Sequence, residues 1–180
     1  MNKIKILIPV YNDWQSVFKL LENINLQISI LNDEFSVIIV NDASSEDRPE
    51  LLADLDNLKS IQIITMKENI GHARCNATGL KYIVEKEEFD YVIPMDGDGE
   101  DRPEELSLLT EKIKDYPDTV VTASRVKRSE GFIFKFCYLA HKNLTLIFTG
   151  KFIKYGNYTC LPKSTVNDMV TDPATWSSFS

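Results

Sequence analysis

Four carboxylates crowd into six positions in the stretch VIPMDGDGEDRPEEL: Asp96, Asp98, Glu100 and Asp101, spaced by Gly97 and Gly99. Like charges this close repel, and a divalent cation is the ligand that best relieves them. Hard oxygen donors select Mg2+ or Mn2+. Mg2+ usually takes one or two protein carboxylates and completes its shell with phosphate and water, so a metal-bridged phosphate compound is the expected ligand. The glycines leave the backbone free to fold around it. The competing reading is a solvated acidic loop capping the helix that opens at Pro103. The spacing does not match an EF-hand loop, which argues against Ca2+.

Such residues need a scaffold, and the hydrophobic pattern supplies one. KIKILIPV, FSVIIVND, SIQIITM, FDYVIPM and TVVTAS read as strands. Between them, WQSVFKLLENINLQI behind the cap Asp13, Ser45 to Leu58 with Pro49 in its first turn, Gly71 to Lys86, and PEELSLLTEKIKD read as helices. Apolar strands alternating with helices predict an α/β fold whose mostly parallel sheet has helices on both faces. After Arg125 the alternation stops. Gly131 to Phe148 has helical period with basic flanks, suited either to lying on an anionic membrane surface or to packing its apolar stripe on the sheet. A short strand around NYTCL follows, and TDPATWSSFS shows no clear element. The expected organisation is a core over residues 1–125 and an acceptor-side segment, 126–180, of the same domain, cut before further elements.

In an open parallel sheet, ligands bind at the carboxyl ends of the strands. Tyr11, Asn12 and Asp13 stand there after the first strand, Asn41 and Asp42 after the second, and Glu68 and Asn69 after the third. Asp96 and Asp98 follow the fourth, and Ser124 and Arg125 the fifth. Other chemistries lack their signatures. There is no GxxxxGK[ST], no GxGxxG after the first strand and no GxSxG, and His72 and His141 form no HExxH.

The chain has 180 residues and a net charge of -7. Between Arg125 and Lys163, however, eight basic residues face the single acid Glu130. An acidic body with a basic late segment suggests an anionic partner for that segment; nucleic acid is not expected of so acidic a chain. Cys75, Cys137 and Cys160 are too few and too scattered for a disulfide framework. No signal-peptide pattern or membrane-length apolar run appears. A cytoplasmic setting is expected, on the cytoplasmic face of the membrane if the late helix docks there.

Taken together, ILIPVYND, VIIVNDASSED, ENIGHARCNATGL, MDGDGEDRPEEL and TASR, in that order over residues 4 to 125, resemble the family 2 glycosyltransferases, which have a GT-A fold. The DGDGExxPE form is most similar to the polyprenyl-phosphate mannose and glucose synthase branch. The resemblance implies an inverting transfer from a UDP- or GDP-linked sugar to an acceptor, with a polyprenyl phosphate as one candidate. It implies that Pro9 and Tyr11 line the nucleotide base, that Asp42 hydrogen-bonds it, and that Arg74 lies near it. Asp96 and Asp98 would form the catalytic DxD that meets ribose, diphosphate and metal. Glu100 would be a third metal ligand, and Arg125 would sit near the phosphates. The aspartate that this branch carries before its glycine-phenylalanine segment has no counterpart in Thr149 to Tyr158. Asp168 and Asp172 are the candidates for a base. Two other classes stay open: a sugar nucleotidyltransferase, and a non-catalytic module binding nucleotide sugar or a partner protein, including a second copy in an oligomer.

Overall fold

Five apolar residues of the first strand, β1 (Lys3–Val10), divide between two cores. The computed structural model describes residues 1–50, 54–123 and 158–177. Ile4, Ile6, Ile8 and Val10 join Val17, Leu20, Leu21 and Ile24 of helix α1 (Trp14–Ile28) on one face. Leu7 joins Cys75, Leu80 and Ile83 of α2 (His72–Lys86) on the other. The period of two in the strand thus divides one apolar run between two layers. Gly79 lets α2 approach closely: a Cβ there would lie 2.3 Å from Leu7 Cδ1 and 2.9 Å from Val40 Cγ2.

The remaining strands are β2 (Glu34–Asn41), β3 (Ser60–Thr65), β4 (Tyr91–Pro94), β5 (Val121–Thr122) and β6 (Thr159–Pro162). A 3-10 turn, Pro103–Glu105, leads into α3 (Leu106–Asp115). The chain then supplies α4 (Lys163–Thr171) and a 3-10 turn, Pro173–Trp176. The sheet order is β3-β2-β1-β4-β6-β5. Pairing is parallel from β3 through β4, while β6 runs antiparallel to both β4 and β5. The expected α/β architecture is present as a mostly parallel sheet.

Three expectations change. Residues 45–50 and 54–58 are not helical. Asn12 Oδ1 accepts the Ser45 and Glu46 N–H groups at 2.8 and 3.1 Å, and Asn25 Oδ1 accepts the Asn57 N–H at 2.9 Å. The Asn57 N–H, which a helix would direct to a carbonyl four residues back, is thereby given to α1 instead. The fifth strand shortens to Val121–Thr122 and pairs with β6, not with β4. The terminal stretch contains structure: the Asp172 carboxylate caps the last turn by accepting the Ala174 N–H at 2.8 Å. The membrane helix expected over Gly131 to Phe148 lies outside the described residues, as does Arg125. Among the described residues, no helix is long and apolar enough to cross a membrane.

Candidate functional site

The carboxyl ends of β1, β2 and β4 end side by side, and the loops leaving them are tied together. Asp42 N–H donates to Val10 O at 2.9 Å, and Met95 N–H donates to Leu7 O at 2.9 Å, extending the pairing past the strands. Asn12 and Ala43 both take positive φ, 54° and 55°, in adjacent loops. Asn tolerates this region, but it costs Ala about 1 kcal/mol. The Asn12 N–H donates to Ser44 Oγ at 2.9 Å, and the Ser44 N–H donates to Asn41 Oδ1 at 3.0 Å. These bonds hold the first two loops in one arrangement.

Asp42 is buried, and its two carboxylate oxygens accept the Ile70 and Gly71 N–H groups, each at 2.9 Å. Gly71 has φ 87° and caps α2, so the anion sits at the helix end whose dipole favours it. Asp42 therefore fixes the third loop against the second.

The acidic cluster divides by role. Asp101 turns inward, is 2% exposed, and its Oδ2 accepts the Asp96 N–H at 3.0 Å. It braces the loop from within. Asp98 is exposed, and its Oδ1 accepts the Glu100 N–H at 2.9 Å, closing a tight turn in which Gly99 has φ 80°. Gly97 forms part of the floor: a Cβ there would lie 2.9 Å from Val17 Cγ2 and 3.3 Å from Pro9 O.

A cleft of about 280 Å3 opens over this floor, lined by Pro9, Tyr11, Asp13, His72, Asp96 and Asp98 among others. Four expected site residues, Pro9, Tyr11, Asp96 and Asp98, therefore come together. Tyr11 is half-exposed. Asp98 also lines a second cleft of about 600 Å3, shared with Lys19 of α1 and Arg102. Asp42, Glu100, Arg74, Asp168 and Asp172 do not line the first cleft. Arg74 lies exposed on α2.

Two residues of the site escaped the sequence reading. Asp101 was counted with the exposed acids, and its burial is a tertiary fact. His72 lines the cleft with Nε2 3.6 Å from Asp96 Oδ1. Its only sequence signal is its place directly after the Gly71 turn. Among the described residues, no three His, Cys, Asp or Glu side chains gather as a metal cluster. Asp96 and Asp98 nonetheless offer two hard carboxylates to one cleft, the donor set that suits Mg2+ or Mn2+ bound jointly with a phosphate.

The sequence model of the family described as glycosyl transferase family 2 matches residues 5–164. The undecaprenyl-phosphate 4-deoxy-4-formamido-L-arabinose transferase of Proteus mirabilis (strain HI4320) is 28% identical over 132 residues, 73% of this chain and 40% of that protein. The enzyme of the same name from Klebsiella pneumoniae (strain 342) is 25% identical over 163 residues, 89% of this chain and 48% of that protein. The chain thus spans less than half the length of these relatives. The mannosyltransferase PcManGT from Pyrobaculum calidifontis, solved with GDP-Man and Mn2+, aligns with a TM-score of 0.63 at 16% identity, covering 93% of this chain and 46% of that one. S. aureus TarS 1-349 in complex with UDP aligns with a TM-score of 0.54 at 20% identity, covering 72% and 38%. The likeness to these structures is one of fold, that of the GT-A glycosyltransferases.

Proposed function

The chain belongs to glycosyl transferase family 2, and from that premise we propose that it moves a sugar from a UDP- or GDP-linked donor to a polyprenyl phosphate with inversion. The observation that carries this reading is the shared cleft. Two carboxylates from the loop after β4, Asp96 and Asp98, face the same space as Pro9 and Tyr11 from the end of β1. A nucleoside diphosphate has the matching halves, a flat base and a doubly charged phosphate bridge. The names of the bacterial relatives support an undecaprenyl phosphate acceptor.

Each residue has a task in this reading. Tyr11 and Pro9 offer the base an aromatic face and a rigid edge. Asp42 orders the loop from Ile70 to Gly71 beside the base and has lone pairs left to accept a base N–H. Asp96 and Asp98 hold Mg2+ or Mn2+, with Glu100 near enough in sequence to follow if its loop closes. When bound, such a cation supplies Lewis-acid stabilisation to the departing diphosphate. Asp101 keeps the Asp96 backbone fixed during this work. The family resemblance would give Arg74 and Arg125 a share in binding the nucleotide; Arg74 stands exposed on α2 outside the cleft lining, and Arg125 lies outside the described residues. The acceptor oxygen attacks the anomeric carbon from the face opposite the leaving group, which inverts the configuration. A phosphate acceptor is already anionic, so no aspartate has to deprotonate it; a hydroxyl acceptor would need one.

The test is transfer itself. The chain is incubated with UDP- and GDP-sugars, Mn2+ and undecaprenyl phosphate in detergent; the lipid product is identified by mass spectrometry and its anomeric configuration is read from the anomeric coupling in NMR. A glycolipid of inverted anomeric configuration supports the proposal. Donor binding without product or nucleotide release would make this chain a nucleotide-sugar-binding module instead.

A further inference from the structure

We infer that His72 is a positioning residue for Asp96, carrying its proton on Nε2 and steadied from behind by Asn76. This rests on the glycosyltransferase reading only for what Asp96 does, not for the contact itself. His72 opens α2 on the wall of the cleft, and its Nε2 lies 3.6 Å from Asp96 Oδ1. That is ion-pair reach but too long for a direct hydrogen bond. Catalytic contacts are commonly long before ligands bind and tighten afterwards. One helical turn below, the Asn76 side-chain amide meets the same Nε2 at 3.0 Å.

Asn76 is buried at 2% exposure, and its Oδ1 has no hydrogen-bond partner. With Nε2 bare, the Asn76 amide nitrogen donates to it, and the imidazole lone pair then faces the Asp96 carboxylate and repels it. With Nε2 protonated, the Asn76 amide turns over, its oxygen accepts the Nε2–H, and the same proton attracts Asp96. Side-chain amide orientation and imidazole tautomer are exchangeable in this way. Either orientation leaves one buried amide atom unmatched, so Asn76 alone does not choose. The carboxylate chooses, because only the Nε2–H form is attractive toward it. The imidazole then holds Asp96 Oδ1 toward α2. The Asp101 carboxylate fixes the Asp96 backbone from the other side. Partners that orient a metal-binding carboxylate in this way typically cost 10- to 100-fold in metal affinity when removed.

Two measurements test it. The first is the imidazole tautomer by long-range proton–nitrogen NMR on the chain without nucleotide or metal, with the two histidines told apart by His141→Gln. The Nε2–H form, with a signal that moves on Asp96→Asn, is expected; an Nδ1–H form indifferent to Asp96→Asn overturns the inference. The second is binding of UDP and GDP with and without Mn2+ to His72→Leu and His72→Gln. Gln can place an amide N–H close to where the imidazole Nε2–H lies. His72→Leu should weaken the Mn2+-dependent part of binding at least about tenfold, and His72→Gln should restore most of it. Unchanged Mn2+ dependence in His72→Leu overturns the inference, as does equal loss in both variants. If wild type shows no Mn2+-dependent binding at all, the glycosyltransferase reading falls, and the tautomer alone decides the role of His72.

Discussion

Asp42 Oδ2 accepts the Gly71 N–H at 2.9 Å, locking the end of β2 to the cap of α2. Its other oxygen takes the Ile70 N–H at the same distance. A residue that the family resemblance assigns to the base thus ties together the loops beside the cleft.

Asp42→Ala should accordingly cost stability as well as binding. Losing two amide–carboxylate bonds at a buried position is worth about 3 kcal/mol. For a chain of this size that lowers the melting temperature by roughly 6–12 °C. Calorimetric melting of Asp42→Ala beside wild type checks this, and a change under about 2 °C contradicts the structural role.

The two glycines of the acidic loop should respond differently to alanine. Gly97→Ala drives a methyl against Val17 Cγ2 and Pro9 O, at the floor of the cleft. Overpacking of this kind costs about 1–3 kcal/mol and displaces Asp96 or Asp98. Gly99→Ala meets open space and pays only for its φ of 80°, about 1 kcal/mol. Nucleotide affinity should fall clearly in Gly97→Ala and little in Gly99→Ala. Equal losses would mean that the loop, not the floor, limits binding.

Acid sensitivity should come partly from the opposite end of the sheet. Lys5 Nζ donates to Glu87 Oε2 at 2.8 Å, and Gln62 Nε2 donates to Glu87 Oε1 at 2.8 Å. Burial pushes the Glu87 carboxyl up, but these hydrogen bonds and the Lys5 charge outweigh it and hold the group below its ordinary value. A carboxylate with a depressed folded pKa stabilises above its unfolded pKa, about 4.3, and loses that contribution as pH falls through the lower folded value. Glu87→Gln should reduce stability at pH 7 by about 3 kcal/mol and flatten the decline below pH 4. Urea unfolding across pH 3–7 checks both, and parallel curves for variant and wild type would contradict it.

Cys75 should be inert while the chain is folded. Burial, and then the negative charge of Asp42, push its thiol up to about 12, and its Sγ donates to Val40 O at 3.3 Å. At pH 8 it should resist iodoacetamide until denaturant is added, as read by peptide mass spectrometry. Rapid labelling in native buffer would show that α2 opens from the sheet.

Local signals were legible in the sequence, and distant ones were not. Helix α1 begins at Trp14 behind its Asp13 cap, as the sequence indicates, because its cap and apolar stripe are local. Residues 45–50 and 54–58, expected as a helix, are instead tied to Asn12 and Asn25, residues far along the chain that no local pattern points to. No local pattern could reveal that Thr159–Pro162 inserts between β4 and β5. In the site, Tyr11, Asp96 and Asp98 stand out as polar residues closing apolar strands, while Pro9 is legible only through the family resemblance. Asp101 does not stand out, because a carboxylate that turns inward looks the same in sequence as its exposed neighbours.

A calorimetric titration of the wild-type chain and Asp98→Ala with UDP and GDP, with Mn2+ and with EDTA, bears most directly on the proposed site. One of the two nucleotides should bind wild type with Mn2+ at least about tenfold more tightly than in EDTA, and Asp98→Ala should remove that difference. Equal affinity in Mn2+ and EDTA, or an Asp98→Ala variant that keeps the full Mn2+ effect, would contradict a cation held by this acidic loop.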